Sequence, residues 1–182
     1  MLREMGFCVL EADIVAHKLL DPGQEARSEV LQEFGSDLEG IDGKIDRSKL
    51  GALVFADPTK LAKLNRIIHP RVEQIVFQKF REWEHNGVRD AAFVEAALLV
   101  EAGMAGKLDG LVVAFCQPEQ QIERLRARGM SEVEAKRRIA AQMPVEEKLR
   151  HATEKIDCSG TLAETRTQVR ALAAKLRKKN LS

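Results

Sequence analysis

Three short runs, Phe7 to Glu11, Ala91 to Glu95 and Asp109 to Cys116, are apolar along most of their length instead of alternating apolar with polar. A strand that is apolar on both faces must be covered on both faces. The segments between these runs carry helical periodicity, so the chain is expected to adopt an α/β fold, a parallel sheet flanked by helices. Lys155 to Cys158 reads as a further strand at the sheet edge. In such a sheet, side chains just past the carboxyl end of a strand face the ligand crevice. Asp13, where the first run gives way to a helix from Ile14 to Leu20, is therefore the first candidate for chemistry. The competing reading is that it merely caps that helix.

A length of 182 residues suits one well-buried domain with room for a small mobile subdomain. Lys plus Arg number 29 and Asp plus Glu 28, a net charge of +1, so no global field draws the chain to nucleic acid or to an anionic membrane. Any phosphate site must be local. Cys8, Cys116 and Cys158 are odd in number and include no CxxC pair, which argues against a disulfide framework or a zinc site and for reduced thiols in a cytoplasmic protein. No run has the length of a membrane span, and Met1 to Gly6 lacks the apolar core of a signal peptide.

Helices are expected from Glu25 to Phe34, from Arg47 to Phe55 behind an Asp46 cap, and from Pro58, after Asp57, to Ile67. Pro70 disfavours helical geometry at His69, so a break or kink is expected there before a second helix from Arg71 to Glu84, with a loop from His85 to Asp90. Ala97 to Gly103 reads as a short apolar helix holding Glu101. Further helices run from Pro118 to Arg128, from a Ser131 cap to Gln142 with Glu134 completing a capping box, from Pro144 to His151, and from Thr161 to Lys179. Leu2 to Met5 is a lone helical turn ended by Gly6.

Arg124 and Arg128 are four apart and share a helical face, so both can point at one anion, and the arginine fork suits phosphate. A solvated face paired to Glu119, Glu123, Glu132 and Glu134 explains the same residues. Glu101, past the second strand as Asp13 is past the first, needs a partner or a role in apolar surroundings; a lysine salt bridge would supply one. Gly103 to Lys107 fails as a phosphate loop, because only two residues separate its glycines and Leu108 follows the lysine. The tail Lys175, Arg177, Lys178 and Lys179 reads as a cationic helix end complementing the dipole.

In order along the chain, EADIVAHKLLDPG, IDGKIDRSKLGALVFAD, LNRIIHP, ALLVEAG, VVAFCQPEQQIERLRAR and RIAAQMPVEEKLRHATEKIDCSG resemble the motifs of the dephospho-CoA kinase family: DAD, DG with D/R and VF, LNxIxHP, PLLxE, the lid start, and the closing Q, K and IDN region. The resemblance implies a P-loop NTPase-like fold with a five-stranded parallel sheet: core residues 1–22, 85–117 and 152–182, a helical acceptor-binding region at 23–84, and a lid at 118–151. It implies transfer of the γ-phosphoryl group of ATP, with Mg2+, to the ribose 3′-hydroxyl of dephospho-CoA. By motif, Asp13 would be the base and Arg124 the arginine facing the transferring phosphoryl group. His69 and Glu101 would shape the acceptor site, Arg128, Gln142 and Lys148 would belong to the lid and its hinge, and Asp157 and Cys158 to the nucleotide-base region. Glu11, Ala97, Thr153 and Cys158 stand where the family has Asp, Pro, Asp and Asn. The family's glycine-rich phosphate loop falls before Met1, so the natural product is expected to begin further upstream. Another P-loop nucleotide kinase and a non-catalytic paralogue that binds CoA-like ligands remain alternatives; a nucleic-acid module fits least, with balanced charge and no aromatic platform.

Overall fold

A computed structural model describes residues 1–88 and 90–179; Arg89, in the expected 85–90 loop, and the side chain of Lys179 lie outside what is described. The elements are β1 (Cys8–Glu11), α1 (Ala12–Lys18), α2 (Glu25–Phe34), α3 (Arg47–Phe55), α4 (Pro58–His85), β2 (Ala92–Glu95), β3 (Val112–Phe115), α5 (Pro118–Ala127), α6 (Glu132–Ala140), α7 (Val145–His151), β4 (Glu154–Asp157) and α8 (Leu162–Lys179). β1 pairs with β2, and β3 pairs with β4 in parallel, Val112 opposite Glu154 through Phe115 opposite Asp157. The described strands thus form two pairs and not the single five-stranded sheet that the resemblance implies.

Contacts divide the chain into two compact units. The first takes residues 10–82 and 94–96 and is mostly helical. Its helices begin where the sequence offers caps. Asp46 Oδ1 accepts from the amides of Ser48 and Lys49, both at 3.0 Å, and starts α3. Asp57 accepts from the Thr59 amide at 2.9 Å and from its hydroxyl at 2.7 Å beside the start of α4. These two bonds hold the Asp57 carboxyl below its usual value. Arg71 and Lys63 on α4 reach Glu29 and Glu33 on α2, each at 2.5 Å.

α4 runs through Pro70 as one continuous helix, so of the break or kink expected at His69 the break is absent. Proline removes one donor and leaves one carbonyl unserved, a local cost that the long amphipathic helix absorbs because Ile68, Val72 and Val76 bury one continuous face. In the same turn the Arg71 guanidinium donates to the Ile67 carbonyl at 2.8 Å.

The second unit takes residues 1–9, 83–93 and 97–179 of the described chain. Its core joins Ile156 of β4 to Val169 and Leu172 of α8, with Met1, Leu2, Met5, Val112, Cys158 and Leu176 packed against them. The lone turn near the start is a 3-10 helix, Arg3–Met5, ended by Gly6 at φ 90°. Arg177 fixes that turn: it donates to the Met5 carbonyl at 2.6 Å and lies 4.9 Å from the centre of the Phe7 ring. Lys175 pairs with Glu154. The basic tail is therefore partly built into the fold. Residues 97–103 form hydrogen-bonded turns and not the expected helix, since Gly103 at φ 70° and the following 3-10 helix, Ala105–Lys107, end them within one or two turns. This also makes Gly103 to Lys107 a turn, as its spacing predicts.

Candidate active site

The apolar run of β1 hands the chain to α1 at Glu11, whose extended backbone (φ −89°, ψ 107°) occupies the N-cap position. Asp13 lies inside the first helical turn, so it is not the cap. It is exposed, and its carboxylate has no hydrogen bond or ion pair among the described residues. The positive end of a helix favours an anionic side chain there. His69 is half-buried in α4, one residue before Pro70.

α5 starts beyond β3 with Pro118 at its first position and the Gln120 side chain accepting from the Gln117 amide at 3.2 Å. One face of α5 grips the segment after β4. Gln120 donates to the Ser159 carbonyl at 2.8 Å, and Arg124 Nη2 donates to the Cys158 carbonyl at 2.7 Å. Arg124 is exposed, and a guanidinium carries five donors, so most of its fork faces outward with no protein partner. Arg128 is the C-cap of α5 and equally exposed, with no side-chain partner among the described residues. No ion pair joins Arg124, Arg126, Arg128, Arg137 or Arg138 to a carboxylate among the described residues; Glu132 pairs with Lys136, and Glu134 caps α6 through Ser131. Arg126 and Arg137 still help to lower the Glu132 and Glu134 carboxyls through their charge, so the solvated-face reading keeps its electrostatics without direct ion pairs from these arginines.

Asp157 accepts from the Ser159 amide at 2.8 Å, which holds its carboxyl below the usual value. Cys158, half-buried, donates its amide to the Phe115 carbonyl at 2.7 Å. These bonds set the backbone of the nucleotide-base candidates.

Three sequence candidates do meet. The Lys148 ammonium donates to the Ala97 carbonyl at 2.8 Å, to Glu101 Oε1 at 2.9 Å and to Gln142 Oε1 at 3.2 Å, using all three of its donors. Glu101 also accepts from the Met143 amide at 2.8 Å. Burial raises the Glu101 carboxyl, but hydrogen bonds from Lys148 and backbone amides, with the lysine charge, outweigh it and the net shift is downward. The lysine salt bridge expected for Glu101 is present. Gln120, Thr153 and Gln168 were not among the sequence candidates. Thr153 Oγ1 donates to the Leu111 carbonyl at 3.0 Å and accepts from its amide at 2.8 Å. Gln168 brackets the Asp157 backbone at 2.9 and 2.8 Å. Only the Gln117–Gln120 spacing, that of a capping box, carried a local signal.

The family model described as dephospho-CoA kinase matches residues 1–164. The chain belongs to the dephospho-CoA kinase family. The dephospho-CoA kinase of Carboxydothermus hydrogenoformans is 40% identical over 183 residues, spanning 100% of this chain and 88% of its own length. That of Bacillus anthracis is 36% identical, spanning 96% and 88%. Among solved structures, the dephospho-CoA kinase from Campylobacter jejuni superposes with a TM-score of 0.68 at 27% identity, covering 97% of this chain and 89% of that one. TT1252 from Thermus thermophilus gives 0.73 at 32% identity, covering 96% and 87%. The activity of this family is phosphorylation of dephospho-CoA by ATP, the last step of coenzyme A biosynthesis. No described helix is long and apolar enough to cross a membrane.

Proposed function

We propose that Asp13 is the base that orients the ribose 3′-hydroxyl of dephospho-CoA and takes its proton, and that Arg124 stabilises charge on the transferring phosphoryl group. The observation that carries this reading is the state of Asp13: an exposed carboxylate, uncommitted to any protein partner, in the first turn after β1. A base must be free to accept, and a structural carboxylate is normally engaged. Arg124 has the complementary property, one donor spent on the Cys158 carbonyl and the remainder of its fork available to a phosphate.

In this reading residues 23–84 bind the acceptor, with His69 contributing, and residues 118–151 are the lid. The Glu101–Lys148–Gln142 cluster fixes the chain at the base of that lid, and Asp157 and Cys158 border the nucleotide base. Arg128 belongs to the lid and reaches the nucleotide only with it. Among the described residues no three His, Cys, Asp or Glu side chains come together as a metal cage. A magnesium ion would be held mainly by the ATP phosphates and water, neutralising their charge, and no step here is routed through protein ligands to it. The reading places the reaction in the cytoplasm.

The 182 residues contain no GxxxxGK[ST] segment, the element that cradles phosphates in P-loop kinases. Phosphoryl transfer rests on positioning and charge stabilisation, so without that loop turnover should vanish. The test is ATP-dependent phosphorylation of dephospho-CoA, read by mass of the product, for residues 1–182 and for the same residues fused behind the phosphate loop of a dephospho-CoA kinase relative. Turnover by the fusion that is lost on Asp13→Asn and on Arg124→Ala supports the reading. Turnover that survives both substitutions overturns it, and turnover by residues 1–182 alone contradicts the requirement for the loop.

A further inference from the structure

We propose that Cys116 and Cys158 are a redox-active thiol pair, a modification site at which an oxidant of the disulfide class, such as oxidised glutathione, joins the two strands that carry them. β3 and β4 are parallel and pair Phe115 with Asp157, and the Cys158 amide continues the ladder by donating to the Phe115 carbonyl at 2.7 Å. The next opposed residues are Cys116 and Cys158. Neighbouring strands lie about 4.8 Å apart, inside the roughly 4.4–6.8 Å Cα separation that a disulfide takes. Residues directly opposite in a parallel pair project to the same face. Val112 and Cys158 both pack on the Ile156 cluster, and Cys116, two residues beyond Ala114, which pairs with Ile156, shares that face.

Both thiols are free and half-buried in the structure, reachable yet not bathed in solvent. Cys8 lies in β1, which pairs with β2, and serves as an internal control. Around the pair, burial pushes the Cys116 thiol up; Arg124 opposes this, and Cys158 and Asp157 add to it. Exchange is therefore slow at neutral pH and faster in mild alkali, where more thiolate is present. The step balances: one thiolate attacks oxidised glutathione and releases one glutathione thiol. The second thiolate then attacks the mixed disulfide and releases the other. Two protein thiols lose two protons and two electrons, and one glutathione disulfide gains them.

The link would tie the end of β3 to the residue whose carbonyl holds Arg124. Its effect on turnover rests on the reading of Arg124 given above, whereas formation of the link does not.

The test treats residues 1–182 with oxidised glutathione in mild alkali, alkylates the remaining thiols and maps the peptides. Wild type and Cys8→Ser should both yield a Cys116–Cys158 linked peptide. Cys116→Ser should instead keep a glutathione adduct on Cys158, and Cys158→Ser one on Cys116. Glutathione adducts on both residues of the wild type without a link, three alkylated thiols, or a link that includes Cys8 would overturn the proposal. In catalytically active protein, linking should lower turnover about tenfold or more, reversed by dithiothreitol. A complete link with turnover unchanged contradicts the coupling to Arg124 and leaves the pair itself standing.

Discussion

Replacing Lys148 by Met keeps most of the stem's volume and removes an ammonium that serves the Ala97 carbonyl, Glu101 and Gln142 at 2.8, 2.9 and 3.2 Å. The Lys148 and Glu101 side chains are 14% and 21% exposed, between surface and interior. A fully exposed pair contributes under about 1 kcal/mol, whereas hydrogen bonds to charged groups contribute about 1.5–3 kcal/mol, and removing one partner strands the other. The expected loss is about 2–3 kcal/mol. With a slope of about 1–3 kcal/mol per molar urea, the unfolding midpoint of the unit containing the cluster should fall by about 1 M or more. Glu101→Gln and the double variant complete a cycle, with an expected coupling of about 1–2 kcal/mol. The folded Glu101 carboxyl is shifted downward, so its contribution is present above the unfolded carboxyl value of about 4.3 and is lost as pH falls through the lower folded value. Acid should therefore destabilise wild type more than Lys148→Met below about pH 4.5. A loss under about 0.5 kcal/mol, or strict additivity in the cycle, would refute the three-bond account of Lys148.

Arg124→Lys in active protein should lower kcat by about 10²–10³, since an ammonium cannot serve a carbonyl and a phosphate with one planar fork; near-normal kcat would remove Arg124 from the reaction. Asp46→Ala loses two amide bonds at the start of α3 and should cost about 1 kcal/mol in thermal or urea unfolding; wild-type stability would mean that the cap does not support the helix. Thr153→Val should cost about 1–3 kcal/mol, because it leaves both the amide and the carbonyl of Leu111 without the hydroxyl. Gly110→Ala should also destabilise, since the added methyl would sit 2.8 Å from Thr153 Oγ1. Stability equal to wild type in either variant would mean that the β3–β4 junction does not depend on this contact.

Local chemistry made much of the fold readable. Asp46, the Asp57–Pro58 pair and the Ser131–Glu134 box each write a helix start within three residues, and α2 and α3 have the bounds their periodicity predicts. The strands fall within a few residues of their apolar runs. Readings failed where a local preference met a longer-range contact. Pro70 signals a break or kink, but burial along the whole of α4 keeps the helix continuous. The run from Ala97 has helical composition, yet Gly103 and the Lys148 contact to the Ala97 carbonyl hold it as turns. For the candidate site, carboxylates past strand ends pointed to Asp13 and Glu101, and the four-residue spacing to Arg128 pointed to Arg124. What they touch was not legible, because Arg124 meets Cys158 and Lys148 meets Ala97 across 34 and 51 residues of chain. No periodicity encodes such pairs. Gln168 was invisible for the same reason, and Thr153 stood out only as a departure from the family's Asp; both are ordinary polar residues that hydrogen-bond to the backbone they hold.

The most direct test of the central claim follows phosphate from ATP onto dephospho-CoA in residues 1–182 fused behind the phosphate loop of a dephospho-CoA kinase relative, comparing the wild-type fusion with Asp13→Asn. Asparagine keeps the size of the side chain and cannot take the hydroxyl proton. The account predicts coenzyme A phosphorylated at the 3′ position as the product of wild type, with kcat reduced by about 10²–10⁴ in the variant and urea stability unchanged within about 0.5 kcal/mol, as expected for an exposed, unpartnered carboxylate. Wild-type rates in Asp13→Asn, or a loss of activity matched by a loss of folding, would contradict it.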